Sequence, residues 1–443
     1  MEREIEKTLA VWRDDPARKP LLVRGARQVG KSYAIEQFGR RHFESVVVAD
    51  FELEPRLATC FEGSLEPATV LEPLSTLVRA PVTPGRTLLF LDEIQLCPRA
   101  LMALRYFHER LPQLHVIAAG SLVDFALESE DFRMPVGRVQ YLHMCPLSFN
   151  EFLDATGQSG TLAMLGAAVP QSPPHAAAHE HLIEQVRTYC AVGGMPAAVA
   201  EYVSSRDLSR VRRVHLSIMQ TYRDDFAKYS SRARYPYLQQ VFAAAPRTVG
   251  RKFRYAAVDR EVPSRDLRQA LLLLEKAGTM HRVRQTSGAG LPLGAEASDR
   301  NFKVVFVDVG LMQNACDATA ELVVARDLLA VYAGAVAEQL VGQELRSCGD
   351  PYVETGLHYW AREARSSNAE VDYLVASQGR VLPLEVKAGK SGALRSLHLF
   401  LQEYGAPIGL RVSARPLEFD GRLLNVPLYM VHQIPRLAAA TMA

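Results

Sequence analysis

From Pro20 to Pro146, short apolar runs alternate with amphipathic stretches: LLVRG, SVVVADF, TLLFLDE, HVIAAGS and VQYLHMCPL are each separated by segments of helical spacing. Runs that are apolar throughout, not at every second position, suit strands covered on both faces, so the pattern predicts a parallel sheet wrapped by helices. Between Asp154 and His181 the chain turns to Ala, Gly, Ser and Pro, and VPQSPPHAAAHEH reads as an exposed loop. His175, His179 and His181 lie in it. Without rigid flanking structure they read as solvated histidines rather than a metal cluster. Helical patterning resumes at His181 and runs, interrupted by VGGMP, to about Tyr229, as a cap on the first unit. Tyr235 to Val283 reads as a helical unit whose last helix, SRDLRQALLLLEKAG, stops at Gly278 before strand-like residues, an order that suggests a winged helix. From Tyr332 onward a helix, GAVAEQLVGQELRS, precedes the strands HYWARE, EVDYLVA and VLPLEVKAG and the helix SLHLFLQEY.

The expected class is therefore α/β, divided into a parallel-sheet core (1–153), an exposed insert and helical cap (154–230), a winged-helix-like unit (231–325) and a C-terminal α/β unit (326–443). Composition adds bounds. With 48% hydrophobic and 23% charged residues and a net charge of +2, the chain is ordinary globular protein, and any basic surface is local. Six scattered cysteines form no C-x-x-C pair, which fits a reducing cytoplasm. The N-terminus lacks a signal-like apolar run, and no apolar stretch of about 18 residues predicts a membrane span.

The chemistry begins after LLVRG, where Gly25-Ala26-Arg27-Gln28-Val29-Gly30-Lys31-Ser32 matches G-x-x-x-x-G-K-[ST] and a helical pattern follows directly. Small residues at Gly25 and Gly30 let the backbone wrap phosphate, and the amide N–H groups and helix N-terminus supply positive potential. Lys31 is expected to reach the β- and γ-phosphates of ATP, and Ser32 to give its hydroxyl to Mg²⁺. The strand TLLFLDEIQ supplies the other half of such a site. Asp92 is the expected magnesium partner, and Glu93 the group that polarises the attacking water, so the pair signals hydrolysis as well as binding. Ser121, at the end of HVIAAGS, is a candidate to orient that water or sense the γ-phosphate; a helix cap is the alternative. Arg133 and Arg138, before the last strand, are candidates for an arginine finger acting on a neighbouring copy, Arg138 the stronger, which implies a homo-oligomer.

RGARQVGKS, LDEIQ, AAGS, GRVQYLHMCPLSFNEF, VGGMP, FVDVGL, GAVAEQLVGQEL and AEVDYLV with PLEVKAG together resemble the prokaryotic AAA-type ATPases that carry a C-terminal DUF4143 region. The resemblance spans nearly the whole chain, apart from the insert around Ser159 to His181, and implies their architecture.

In the last unit Asp372 sits on one strand and Glu385-Val386-Lys387 on the next, a D…E-x-K arrangement. Residues two apart on a strand share a face, so Glu385 and Lys387 are expected to project together opposite Asp372. Two carboxylates can hold Mg²⁺ and a lysine can activate water, chemistry suited to phosphodiester hydrolysis. Glu338 is a further candidate metal ligand, and Glu370 is expected on the opposite face or as a backup ligand. The constellation resembles PD-(D/E)XK nucleases, although Gln402 and Tyr404 depart from the Gln and Tyr four residues apart of a RecB-like relationship. DNA is the expected partner: from Arg247 to Arg284 ten Lys or Arg face four Asp or Glu. The leading reading is an ATPase coupled to a nuclease-like unit acting on DNA. The second is a nucleotide-dependent signalling or scaffolding ATPase whose nuclease-like unit is inactive and binds DNA or protein, with Lys387 paired to a carboxylate.

Overall fold

The computed structural model describes residues 1–443 other than 2, 122, 127–136, 231, 317–332, 365–366, 390–392 and 443. Five parallel strands, β1 (Leu21–Arg24), β2 (Ser45–Asp50), β3 (Thr87–Asp92), β4 (His115–Ala119) and β5 (Gln140–His143), form the first sheet in the order β2-β3-β4-β1-β5. Every residue of β3 and β4 is buried, as their unbroken apolar runs require. Val70, Leu74, Leu101 and Leu104 cover one face from the helices Pro67–Val78 and Pro98–Arg110. Trp12, Ile35 and Phe38 cover the other from Ile5–Asp14 and Lys31–His42. Because all five strands run in one direction, the residues that follow β1, β3 and β4 emerge at one sheet edge, where ligands of open α/β sheets bind.

The expected loop after Asp154 is helical over much of its length. Ser159–Ala167 is one helix, and the next, Ala176–Val192, begins inside the Pro-rich stretch. The run TLAMLGAA holds good helix formers, and Pro173-Pro174 marks only the turn between the two helices. His179 is buried, with its Nδ1 2.8 Å from the Tyr429 hydroxyl and its Nε2 3.2 Å from the Ala414 carbonyl. His175 caps the second helix, and His181 bonds Gln158 at 2.9 Å. The three histidines serve separate structural contacts.

Three helices, Tyr235–Thr248, Tyr255–Val258 and Ser264–Lys276, lead into the antiparallel strands β6 (Met280–Thr286) and β7 (Phe302–Phe306). β6 also pairs in parallel with β8 (Leu357–Ala364), so one sheet crosses the expected boundary at 325/326. β9 (Ser367–Ser377), β10 (Arg380–Lys387), β11 (Gly409–Ser413), β12 (Glu418–Phe419) and β13 (Leu423–Pro427) complete it in the order β12-β13-β11-β10-β9-β8-β6-β7. The free edge of β7 is closed by the helix Ala333–Ser347: the Gln339 amide accepts from Phe306 N–H and donates to its carbonyl, both at 2.7 Å. Among the described residues no helix is long and apolar enough to cross a membrane.

The two sheets share one apolar core, which runs from Leu9 and Phe38 through Tyr189, Phe242 and Leu274 to Val341 and Leu410. They also meet backbone to backbone. Gly278, at φ +71°, lies so close to the P-loop that a Cβ there falls 3.2 Å from both N and Cα of Ala26. Gly278→Ala is therefore expected to lower stability by about 1–3 kcal/mol. Gly379 has a similar φ of +74° with no atom within 4 Å of a built Cβ, so Gly379→Ala isolates the backbone cost. Urea unfolding of both variants checks this: a larger loss at Gly278 is expected, and equal losses would show that the Ala26 contact is unimportant.

Candidate functional site

The loop after β1 is shaped by three residues in the left-handed half of backbone space, Gly25 (φ +149°), Gln28 (φ +65°) and Gly30 (φ +89°). A Cβ at Gly25 would fall 2.3 Å from the Met144 carbonyl oxygen, so only glycine lets the loop cross the segment after β5. Gly30 ends the turn, and Lys31–His42 follows with its N-terminal amides facing the loop. The Lys31 ammonium is buried and donates to the carbonyls of Gly25 at 3.0 Å and Ala26 at 2.9 Å. Burial pulls its pKa down to about 8, against the opposing pull of Glu93 and Asp92. Ala26 and Val29 complete the loop as buried packing residues.

At the end of β3, the Ser32 hydroxyl donates to Asp92 at 2.5 Å, and the other Asp92 oxygen accepts from the Glu93 N–H at 2.9 Å. Burial raises the Asp92 pKa, while the Ser32 bond opposes it. This hydroxyl and carboxylate pair, facing the phosphate loop, is an oxygen donor set that fits Mg²⁺. Glu93 has φ +48° and ψ +44°, an uncommon conformation for a residue with a side chain and a form of strain concentrated at functional sites. Its carboxylate is held by the Gln95 amide. Ser121 is buried immediately after β4, and its hydroxyl has no hydrogen-bond partner, so it caps no helix among the described residues.

Arg27 points away from the loop, paired with Asp225 at 3.0 Å and Glu52 at 3.3 Å, while Tyr222 donates to its carbonyl at 2.8 Å. Arg138 stands before β5, at the sheet edge opposite the chain's own P-loop, and pairs with Glu109 at 2.7 Å. Arg133 lies outside the described residues. One contact was not visible in the sequence: buried Arg3 donates to the Val29 and Cys145 carbonyls and pairs with Glu151, each at 2.8 Å. Its only local signal is a charged N-terminal helix pattern shared with many surface helices.

In the second sheet, Glu338, Asp372, Glu385 and Lys387 converge as expected, but a fifth residue organises them. Lys303 of β7 is 2% exposed, and its ammonium lies 2.5 Å from Glu370, 3.2 Å from Glu338 and 3.4 Å from Asp372. Glu370 therefore faces the cluster, not the opposite side of the sheet, because it stands two residues from Asp372 on one strand. The second Asp372 oxygen accepts from the Val386 N–H at 2.8 Å, and Lys387 pairs with Glu385 at 2.6 Å. Burial disfavours the charged Lys303, but Glu338, Asp372 and Glu370 outweigh it and hold its pKa above the ordinary lysine value. Burial and then Asp372 push Glu338 up to about 8 and Glu385 up to about 7. The point of convergence is filled by an ammonium, and among the described residues no group of three or more His, Cys, Asp or Glu is arranged to hold a metal ion. Here the Lys303 ammonium is itself the cation among Glu338, Glu370 and Asp372.

Residues 17–153 match the model of an AAA domain, 183–322 a domain of unknown function (DUF8612), and 333–429 a domain of unknown function (DUF4143). The chain thus carries a P-loop ATPase domain of AAA type over residues 17–153. It carries DUF4143 as its C-terminal region. A comparison with curated proteins found no match. Similar solved structures include the Walker-type ATPase of Pyrococcus abyssi (17% identity, 71% of this chain and 95% of that chain, TM-score 0.45). They also include the Aeropyrum pernix ORC1 protein in complex with DNA (14%, 72% and 93%, 0.31). A third is the Thermotoga maritima RuvB Holliday junction branch migration motor (12%, 63% and 88%, 0.30). These likenesses concern the fold alone.

The depressed pKa of Lys31 has a measurable consequence. Below pH 8 the ammonium is charged and ready to meet phosphate; above it, binding must first take up a proton. ATP affinity is expected to fall roughly tenfold between pH 8 and 9.5, with proton uptake seen as a buffer-dependent heat in calorimetry. Flat affinity without uptake would show that the ammonium is not depressed.

Proposed function

We propose that this protein is an ATP-hydrolysing switch whose helical unit before β6 binds DNA and whose C-terminal sheet does not cut it. The observation that carries this reading is the Lys303 ammonium among Glu338, Glu370 and Asp372, a built-in cation where a nuclease needs a metal. Its supporting partner is the Lys387–Glu385 pair, which ties up the lysine otherwise free to activate water.

In the first sheet the assignments are those the geometry supports. Amides of Gly25 to Ser32 and the Lys31 ammonium receive the phosphates, and Ser32 and Asp92 hold Mg²⁺, which when bound neutralises charge developing on the transferred phosphoryl group. Glu93 takes the proton of the attacking water, and the buried Ser121 hydroxyl orients that water. Arg138, at the far sheet edge, meets a nucleotide only in a neighbouring copy, so it serves catalysis only in an oligomer. DNA is the partner supported by Arg251, Arg254, Arg260, Arg265 and Arg268, all exposed on the helical unit before β6.

Glu93→Gln is expected to keep ATP binding and lose at least about 10²-fold in turnover. Lys31→Ala is expected to lose both. For the second sheet, supercoiled and single-stranded DNA are incubated with Mg²⁺ or Mn²⁺, with and without ATP. Salt-sensitive binding without cleavage is expected; cleavage that disappears in Lys387→Ala would overturn the reading in favour of a nuclease. Independently, Lys303→Ala is expected to cost about 3–5 kcal/mol, because it strands buried carboxylates. Mn²⁺ should restore part of that loss in the variant while leaving the wild type unchanged, and a wild type stabilised by Mn²⁺ to the same degree would count against the built-in cation.

A further inference from the structure

The helix Leu208–Tyr229 of the cap lies against the phosphate loop and grips one residue of it twice. Tyr222 and Asp225 stand three positions apart and so share a face of that helix. The Tyr222 hydroxyl donates to the Arg27 carbonyl at 2.8 Å, and both Asp225 oxygens accept from one Arg27 nitrogen, at 3.1 and 3.0 Å. A second carboxylate and a second cation stand around this pair. Glu52, in the turn after β2, is 3.3 Å from Arg27, and Lys228 lies 3.2 Å from Asp225 and 3.4 Å from Glu52. Two carboxylates thus share two cations, one from the phosphate loop and one from the cap helix itself. Asp225 is buried, and a buried carboxylate stripped of every cation is costly. Lys228 removes that obstacle, since it stays on both carboxylates when Arg27 leaves.

Arg27 belongs to the loop that wraps the phosphates, so its guanidinium reaches a bound terminal phosphate by turning its own side chain. Its charge already acts there. Burial lowers the Arg27 pKa, but Asp225, Glu93 and Glu52 outweigh burial and raise it; after burial, Glu93 and Asp92, Arg27 is the next influence on Lys31. Guanidinium groups suit phosphate oxygens, and ATP presents one more phosphate than ADP. We infer that Arg27 is the residue that distinguishes ATP from ADP, and that the terminal phosphate draws it off Asp225 and so loosens the cap helix from the loop. The inference rests on the reading of the first sheet as an ATP-hydrolysing site and adds the group that reads the state of the nucleotide. The released helix packs through Tyr222 and Phe226 on Phe242 of the helical unit before β6, at ring-centroid distances of 6.3 and 5.2 Å. The latch therefore leads from the phosphates toward that unit.

The test is titration calorimetry of the full chain with Mg²⁺ and either ADP or the non-hydrolysable β,γ-imido analogue of ATP. Arg27→Ala is expected to weaken the analogue at least about tenfold while ADP stays within about twofold. Asp225→Asn removes the competing charge and keeps the shape, and is expected to tighten the analogue about three- to tenfold with ADP unchanged. That gain must vanish when Arg27→Ala is added, because Asp225 acts only through the guanidinium. Equal weakening of both nucleotides by Arg27→Ala, no gain in Asp225→Asn, or a gain that persists in the double variant overturns the inference and leaves the ATP site standing. Should Asp225→Asn fail to fold, Glu52→Gln decides at a half-exposed position: the analogue alone must bind more tightly, and unchanged affinity overturns the latch. Loss of both nucleotides is expected only in Lys31→Ala, and a wild type that binds neither overturns the ATP site and the latch together.

Discussion

Three backbones meet where Gly193 and Gly194 pass between Leu147 and Asp308, and no side chain fits among them. A Cβ on Gly194 would lie 2.0 Å from the Leu147 carbonyl oxygen, one on Gly193 2.1 Å from Asp308, and one on Gly310 2.8 Å from the Gly193 nitrogen. Asp308 is fully buried there; it accepts from Gly194 N–H at 2.6 Å and from Leu311 N–H at 2.9 Å. Burial raises its pKa, and the nearby His215 with those amides pulls it back. A carboxylate so placed cannot shift without losing bonds that nothing else supplies. It fixes the segment after β5, the VGGMP turn and the start of the helix after β7 as one unit, and the helical cap and second sheet are positioned from it.

Around that junction the two polar clusters are built in opposite ways. The first is unsatisfied and strained: Lys31 is easily deprotonated, Glu93 is held at positive φ, and Ser121 lacks a partner. Each of those features is relieved by a phosphate, a metal ion or a water, which is the signature of a site shaped for a transient ligand. The second has its carboxylates paired to Lys303 and Lys387, although one Glu385 oxygen is buried without a hydrogen-bond partner. Here the chain's own ammonium groups already stand among the carboxylates, whereas the first cluster leaves its groups for a ligand.

The P-loop, the Asp92-Glu93 pair and the D…E-x-K strands were legible because each is a local pattern whose geometry follows from one strand or one turn. Lys303 was not, since a lone lysine in FKVVF carries no mark of facing carboxylates 35 and 69 residues away. Arg3, Asp225 and Asp308 carry no local mark of Glu151, Arg27 and Gly194, which lie 148, 198 and 114 residues away. In the Pro-rich insert composition points to a loop, while alanine and leucine among good helix formers decide the structure. Of the two expectations for Glu370, the opposite face or a backup position, the two-residue strand period favours the second and places it beside Asp372.

A nucleotide switch built on this shared core requires the nucleotide site and the second sheet to move as coupled parts, through Gly278 and the Asp308 junction. Hydrogen exchange of the full chain, with Mg²⁺ and a non-hydrolysable ATP analogue against the free protein, tests it most directly. The account predicts altered protection at 25–32 together with 193–194, 278–284 and 302–311. Changes confined to 25–32, 92–93 and 121 would contradict it.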